Sequence, residues 1–344
     1  MSDFLREGAG PSPALITEFI DQQREHGYAV QQICDALNTQ GLKVSARTYR
    51  SWKAAEPAPR VVTDALILNV LHDLQKPDEK TGRPKPEVLY GRRKMLVWLQ
   101  RNGFPDISKH TVDRLMRVAG MNGLVRGRRT TTTIRAKDKI RAKDLLNRNF
   151  YTDAPNKVWV TDFTYVPIRG GFAYVSFVID LFSRRILSWA SSTSHDTEFV
   201  EEALQLALWQ RRIEQKAHVR SAFGTIHHSD ADSEYTSQRY TQTLAMEGLV
   251  PSIGTIGDAF DNAAAETVMG LFKNEAVAKD SPFRTGVLAT KADVDDVVVE
   301  WVHWYNNDRL HSTLGYRAPV EFEELYYDEM SGSLPDEAAS KLAA

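Results

Sequence analysis

The stretch KVWVTDFTYVPIRGGFAYVSFVIDLFSRRILSWASST, residues 157–193, decides the fold. Three runs within it, KVWVTDFTYVPI, GFAYVSFVIDLF and RRILSWASST, are rich in Val, Ile, Tyr, Phe and Trp, side chains that suit a pleated, half-buried surface. Arg169, Gly170 and Gly171 between the first two are turn residues, so the runs predict an antiparallel meander. Downstream the pattern alternates. A helix is expected from about Asp196 to Arg212, a short strand in TIHHSD, a helix near Ser237 to Glu247, a strand in LVPSIG and a long helix from about Asp261 to Val277. That order predicts an α/β layer domain, a mixed five-stranded sheet flanked by helices.

Upstream, the chain reads as helical. In YAVQQICDALNTQG, Val30, Ile33, Cys34 and Leu37 fall on one helical face before Gly41, and Ser45 can cap a second short helix that ends at Pro57 and Pro59. This pair is either a helix-turn-helix or an ordinary helical hairpin. A second pair is more basic. Met95, Trp98 and Leu99 mark one helix ended by Gly103 and Pro105; Ser108 can cap another whose Val112, Leu115, Met116 and Ala119 share a face.

The 344 residues carry a formal net charge of -2, but the charge is unevenly spread. Residues 81–150 hold 18 basic and 5 acidic side chains, whereas residues 151–344 hold 16 and 29. A basic stretch of that density is the footprint of a polyanion-binding segment, nucleic acid being the commonest partner. Arg92, Arg93, Lys94, Lys109, Arg114, Arg117, Arg126, Arg128 and Arg129 flank the second helical pair and are its candidate DNA contacts. The single cysteine excludes an intrachain disulfide framework. No run approaches the roughly 20 apolar residues of a membrane span, and the start MSDFLREGAG lacks a secretory apolar stretch, so a non-membrane, intracellular protein is expected.

Three acidic residues occupy telling places: Asp162 in mid-strand, Asp230 at a strand end and Glu266 within a helix. A mid-strand Asp is costly unless something neutralises it, and carboxylates from two strands and a crossing helix offer hard oxygen ligands for Mg²⁺ or Mn²⁺. The residues between Asp230 and Glu266 number 35. His228 and His311 read as packed histidines and Asp180 as a structural hydrogen-bonding group. Trp159, Trp189, Trp209, Trp301 and Trp304 read as core or lining aromatics.

The phrases YGRRKM, TVDRLMR, GLVRGRR, NKVWVTDFTYV, VIDLFSRRI, HHSDADSEYTS, PSIGTIGDAFDNAAAETVMGLFKNE and WYNNDRLHSTLGYRAPVEF occur in this order. Together they resemble the larger reading-frame product of the insertion-sequence-three family, bacterial DDE transposases whose catalytic domain is similar to the retroviral integrase core. The resemblance spans roughly residues 25–325 and implies an RNase H-like fold. It implies catalytic and metal-binding roles for Asp162, Asp230 and Glu266, with two ions expected once DNA is bound. Lys273, two helical turns after Glu266, is expected to grip a phosphate, with Gly270 leaving room for the backbone. Asn262, one turn before Glu266, is expected to contact substrate or position a carboxylate.

The same resemblance implies double-stranded DNA partners (element terminal repeats and target DNA), a homo-oligomer on DNA, the smaller upstream reading-frame product as an accessory, and a bacterial, nucleoid-associated location. The expected organisation is a helical region over 1–60, a basic helix-turn-helix-like region over 61–125, a basic linker over 126–152, the catalytic core over 153–326 and an acidic, disordered tail over 327–344. One departure stands out. Relatives usually place a small or basic residue, Gly, Ser and Gln after HSD, whereas this chain has Ala231, Asp232, Ser233 and Glu234. Two added carboxylates beside the site would weaken DNA binding or alter metal affinity, and they leave open a catalytically silent DNA-binding remnant as the alternative function.

Overall fold

The structure is a computed structural model, and it describes residues 11–124, 142–214, 222–254, 262–330 and 332. It divides into two compact units, Met1–Ile67 and Leu68–Ala344. The division falls inside one helix, Pro59–Gln75, rather than between 60 and 61, and the second helical pair belongs to the same unit as the sheet.

The first unit packs α1 (Pro13–Glu25), α2 (Val30–Thr39) and α3 (Ala46–Ala54) around Ile16, Ile20, Ile33, Cys34, Leu37 and Tyr49. Ser45 caps α3 as its sequence position predicts, accepting from Thr48 N at 3.0 Å. The turn between α2 and α3 is closed by Asn38, which both donates to Val44 O (2.8 Å) and accepts from Val44 N (3.0 Å). α4 (Pro59–Gln75) follows.

In the second unit α5 (Arg92–Arg101) and α6 (Lys109–Val118) bury Met95 and Leu99 against Val112, Leu115 and Met116, the faces that the periodicity marks. Ser108 caps α6 through Thr111 N at 3.2 Å. Gly123 returns the chain to the start of α5: its φ is +68°, and a Cβ there would lie 2.7 Å from Gly91 N, so only glycine fits.

The sheet holds β1 (Val158–Ile168), β2 (Gly171–Asp180), β3 (Ile186–Ser192), β4 (Ile226–Ser229) and β5 (Val250–Ile253), in the order β3-β2-β1-β4-β5. β1, β2 and β3 form the antiparallel meander; β4 and β5 run parallel to β1. α7 (Thr197–Ile213) and α8 (Gln238–Met246) share a core with Trp159, Phe199, Leu204, Tyr235 and Tyr240. Phe177 of β2 meets Phe272 and Trp301, which come from α9 (Ala263–Phe272) and α10 (Lys291–Asn307).

α9 does not continue regularly to Val277 as the sequence suggests. It gives way to a π-helical turn, Lys273–Val277, in which Glu275 is buried and paired with Arg309 through two contacts, Nε to Oε2 at 2.9 Å and Nη2 to Oε1 at 2.5 Å. The widened turn carries Glu275 to that partner, and Trp301 Nε1 adds a third bond at 3.2 Å.

α11 (Pro319–Met330) closes the unit. Its last four residues lie past the expected core end at 326, with Tyr327 buried. Its Glu323 meets Arg211 of α7, which also bonds the fully buried Asp180 at 3.0 Å. Asp180 further accepts from Asn156 N and Phe182 N, the structural role expected of it.

The segment expected as a linker is not free throughout. Leu146 is buried and Leu145 N donates to Ser252 Oγ of β5 at 2.9 Å. Trp209 also departs from expectation: it is 56 % exposed on α7, because 209 falls on the helix face opposite Ala207 and Leu208. Among the described residues no helix is long and apolar enough to cross a membrane.

Candidate active site

β1 and β4 are paired so that Val160 lies opposite His228. Asp162 and Asp230 each stand two residues further along, one full pleat repeat, so the register carries both carboxyls to neighbouring positions at the same end of the sheet. β4 stops at Ser229 while β1 runs on to Ile168, which puts Asp230 at the opening where β1 loses its neighbour.

The third carboxylate arrives by a buried strut. Asn262, the N-cap residue of α9, is fully buried and its Nδ2 donates to the carbonyl of Thr161 at 3.1 Å, one residue before Asp162. Glu266 follows one turn later, its N–H bonded to Asn262 O at 3.0 Å. Burial removes Asn262 from direct DNA contact; of its two expected roles, the geometry leaves the positioning of a carboxylate-bearing helix.

The site is electrostatically strained. Burial pushes the Asp162 carboxyl well above its usual range, and the charges of Asp230, Asp232 and Glu266 push it the same way, against a single opposing hydrogen bond from Phe163 N at 2.8 Å. Asp162 therefore feels three other carboxylates, Asp230 more strongly than Asp232. The strand beneath is fixed by Ser176 Oγ, which donates to Asp162 O at 3.3 Å.

Glu234 does not join this group. It is buried, accepts from Ser233 Oγ and faces His195 at 3.5 Å, and His195 rests on Phe163 and Tyr174. Of the two extra carboxylates, only Asp232 adds charge at the site.

Tyr235 escaped the sequence reading. It is fully buried beside Thr161, and its hydroxyl is held well above its usual range by burial and by the nearby Asp162 charge. Its place three residues after Asp232 in an otherwise polar loop was the available signal. His227 and His228 are packed groups: His227 bonds Tyr240 Oη at 2.6 Å and burial pushes it down to about 3, while His228 bonds Ser252 Oγ at 2.8 Å. His311 is buried beside Arg309, and burial together with that cation keeps it neutral.

A divalent ion suits this donor set by charge and by hardness: every ligand candidate is a carboxylate, the charges of the others raise Asp162, and Asn262 Oδ1 is a buried oxygen with no donor among the described residues. Among the described residues no group of three His, Cys, Asp or Glu side chains is yet gathered as ligands.

Lys273 is exposed and its Nζ lies 4.7 Å from the centre of the Tyr165 ring. A Cβ built on Gly270 meets nothing within 4 Å, so that side of α9 is open.

On the helical pair, Arg93, Lys109 and Arg117 are exposed and Arg114 is half-buried. Arg92 pairs with Asp113 at 3.4 Å, Arg117 pairs with the same carboxylate, and Lys94 lies over the Tyr90 ring at 5.3 Å. Arg126, Arg128 and Arg129 lie outside the described residues.

A 3-2-1-4-5 mixed sheet with acidic residues on two adjacent strands and a crossing helix defines an RNase H-like polynucleotidyl transferase core of the integrase type. The family description "Integrase core domain" matches residues 152–259 and again 247–319, and "HTH-like domain" matches residues 80–129. The chain is 40 % identical over 239 residues to a protein of Mycobacterium tuberculosis named for the transposase of insertion sequence element IS986/IS6110, covering 70 % of this chain and 83 % of that one. It is 42 % identical over 239 residues to the transposase for insertion sequence element IS629 of Shigella sonnei, covering 70 % and 75 %. The catalytic core domain of the HTLV-2 integrase in complex with magnesium superposes with a TM-score of 0.36 at 14 % identity, covering 49 % of this chain and 97 % of that one. The chain belongs to the DDE transposases of insertion sequences, in the insertion-sequence-three family.

Proposed function

We propose that this transposase cuts DNA at the ends of its element and joins the freed 3′-hydroxyl to a target phosphodiester, with Asp162, Asp230 and Glu266 as the catalytic carboxylates. The observation that carries the reading is the register of β1 on β4 with α9 tied to Thr161 through Asn262: Asp162, raised by burial, is raised further by the charges of Asp230 and Glu266. Asp162, Asp230 and Glu266 would hold two Mg²⁺ or Mn²⁺ ions. When bound, such ions supply activation of the attacking oxygen, from water or a 3′-hydroxyl, and stabilise the leaving 3′ oxygen.

The chain's own residues set the geometry. Asn262 ties the start of α9, the helix that carries Glu266, to the carbonyl of Thr161 next to Asp162. Lys273 offers a cation to a substrate phosphate beside the carboxylates. Arg92, Arg93, Lys94, Lys109, Arg114 and Arg117, with Arg126, Arg128 and Arg129 on the following segment, neutralise the phosphates of bound duplex. The protein acts as a multimer on paired element ends, with the smaller upstream product assisting end recognition.

The test is incubation with labelled terminal-repeat DNA and Mg²⁺, alongside Glu266→Gln. Metal-dependent nicking or joining that disappears in the variant is the expected result. Equal inactivity of both with retained DNA binding would instead establish a silent DNA-binding remnant.

A further inference from the structure

Two stretches of this chain share one design. LNTQGLKVSARTYRSW, residues 37–52, and LQRNGFPDISKHTVDRL, residues 99–115, each run from a leucine through a glycine four residues on to a β-branched residue, a serine and, three later, a threonine. The second has one residue more between glycine and serine. The structure repeats the match. Leu42 N donates to Leu37 O at 3.0 Å and Phe104 N to Leu99 O at 3.1 Å, closing the same helix end around Gly41 and Gly103, whose φ values are +88° and +97°. Ser45 and Ser108 each cap the next helix through the N–H of the threonine three residues on. α2–α3 is thus built as α5–α6 is, and α5–α6 is the pair within the HTH-like match.

The outer face of α3 is charged for an anion. Residues 13–39 hold four acidic side chains and one basic, whereas residues 40–55 hold four basic and none acidic. Lys53 of that group turns to α1, where its Nζ and the Tyr49 hydroxyl both donate to Asp21, at 2.6 and 2.5 Å. The other three, Lys43, Arg47 and Arg50, are exposed and have no ion pair among the described residues. Arg47, Arg50 and Ser51 fall at i, i+3 and i+4, a face of α3 turned away from the buried Ala46 and Tyr49. Packing alone does not require unpaired cations gathered on one helix and its leading turn. A recognition helix reads base edges with the residues of its first turns, and an arginine there can grip guanine O6 and N7 together.

Resting on the reading of the α5–α6 basic residues as duplex contacts, we propose that α2–α3 is a second duplex-DNA reader of this chain, with Arg47, Arg50 and Ser51 on base edges in the major groove and Lys43 on a phosphate. Two readers on one chain lengthen the sequence that is recognised, and once one is bound the other meets its site at a raised effective concentration.

The experiment is a binding titration and a hydroxyl-radical footprint of the full chain in EDTA, where no metal-dependent cleavage intervenes. The probes are a duplex carrying the terminal repeat and a scrambled duplex of equal length and composition. Arg47→Ala and Arg50→Ala should each weaken binding to the repeat by about 5- to 150-fold, the range for one lost base contact, and weaken binding to the scrambled duplex much less. Lys43→Ala should weaken both duplexes alike and lower the slope of log affinity against log salt by about 0.9. In the footprint, Arg47→Ala combined with Arg50→Ala should open one protected stretch and leave another, which Lys109→Ala combined with Arg117→Ala should open instead. All these side chains are exposed, so unchanged melting temperatures are expected and confirm that the variants fold. Parental affinity and footprint in the Arg47→Ala, Arg50→Ala protein, or a loss equal on both duplexes, would overturn the proposal. A loss confined to the Lys109→Ala, Arg117→Ala protein would leave α5–α6 as the reader and overturn it too, whereas a loss confined to the α3 variants would uphold it and overturn the α5–α6 reading.

Discussion

Tyr90→Phe probes how firmly the helix-turn-helix-like pair is fixed to the catalytic core. Tyr90 lies just before α5, is 1 % exposed, and inserts its hydroxyl into the backbone after α10. The hydroxyl donates to Asp308 O at 3.1 Å and accepts from Leu310 N at 3.1 Å, and the ring rests on Trp304 with centroids 6.0 Å apart. Removing one oxygen keeps the ring packing and leaves a carbonyl and an N–H in the interior without their partner. Each such loss costs about 1–3 kcal/mol, so the pair should cost roughly 2–6 kcal/mol.

Two ion pairs, half-buried Arg83 with Glu300 at 2.7 Å and exposed Arg101 with Glu321 at 3.0 Å, span the same junction; the exposed one contributes at most about 1 kcal/mol, and neither supplies a partner to the stranded Asp308 carbonyl or Leu310 N–H. Urea unfolding followed by tryptophan fluorescence should show the loss. Hydrogen exchange should show it locally, as faster exchange of the Leu310 amide and of α5 than of the sheet. Tyr28→Phe, on an exposed ring, is the control and should move stability by less than about 0.5 kcal/mol. A Tyr90→Phe protein as stable as its parent, with the Leu310 amide still protected, would refute the claim that this hydroxyl locks the two parts together.

Other consequences can be measured directly. Glu275→Gln strands the buried Arg309 guanidinium and should cost about 3–5 kcal/mol in chemical denaturation, while the double variant Glu275→Leu with Arg309→Met should recover most of it. His227 is held near 3 in the folded chain against 6.5 when unfolded, so the unfolded chain binds the extra proton between those values and stability falls as pH drops through the window. Going from pH 7 to pH 4.5 this group should remove roughly 2–3 kcal/mol, a slope that His227→Gln abolishes in urea titrations. The Asp162 carboxyl has the opposite sign. Its folded pKa is raised, so the folded chain holds the proton more tightly and stability declines as pH rises above about 3.8. Without divalent cations, Asp162→Asn should therefore melt higher than the parent at pH 7 and alike near pH 3, and Mg²⁺ should raise the melting temperature of the parent alone.

Some of this architecture is written locally and some is not. The meander follows from the β-branched and aromatic content of 157–193, and Ser45 and Ser108 mark helix starts because a cap needs only its own next three residues. Motif context and the interval between the last two group Asp162, Asp230 and Glu266 in the sequence, and their shared catalytic role is proposed. Contacts set by the packing of distant elements are not legible there. Asn262 shares a helical face with Glu266, yet nothing local says that the face is sealed by the Thr161 carbonyl. Glu234 looks like a site carboxylate from its neighbours, but the backbone turns it toward His195. Glu275 and Arg309 are 34 residues apart and meet through the π-helical turn and the packing of the segment after α10, neither of which is local in sequence. Trp209 reads as core from composition whichever helix face it occupies, but its face of α7 is exposed.

The most direct test of the central claim compares Asp230→Asn with Asp232→Asn in metal-dependent cleavage of labelled terminal-repeat DNA, with DNA binding measured on the same proteins. The register of β4 on β1, which puts Asp230 one pleat repeat past His228 as Asp162 is past Val160, predicts that Asp230→Asn abolishes cleavage while Asp232→Asn retains it, binding being unchanged or tighter as negative charge is removed. Cleavage that survives Asp230→Asn and is lost in Asp232→Asn would contradict the assignment of the catalytic carboxylates.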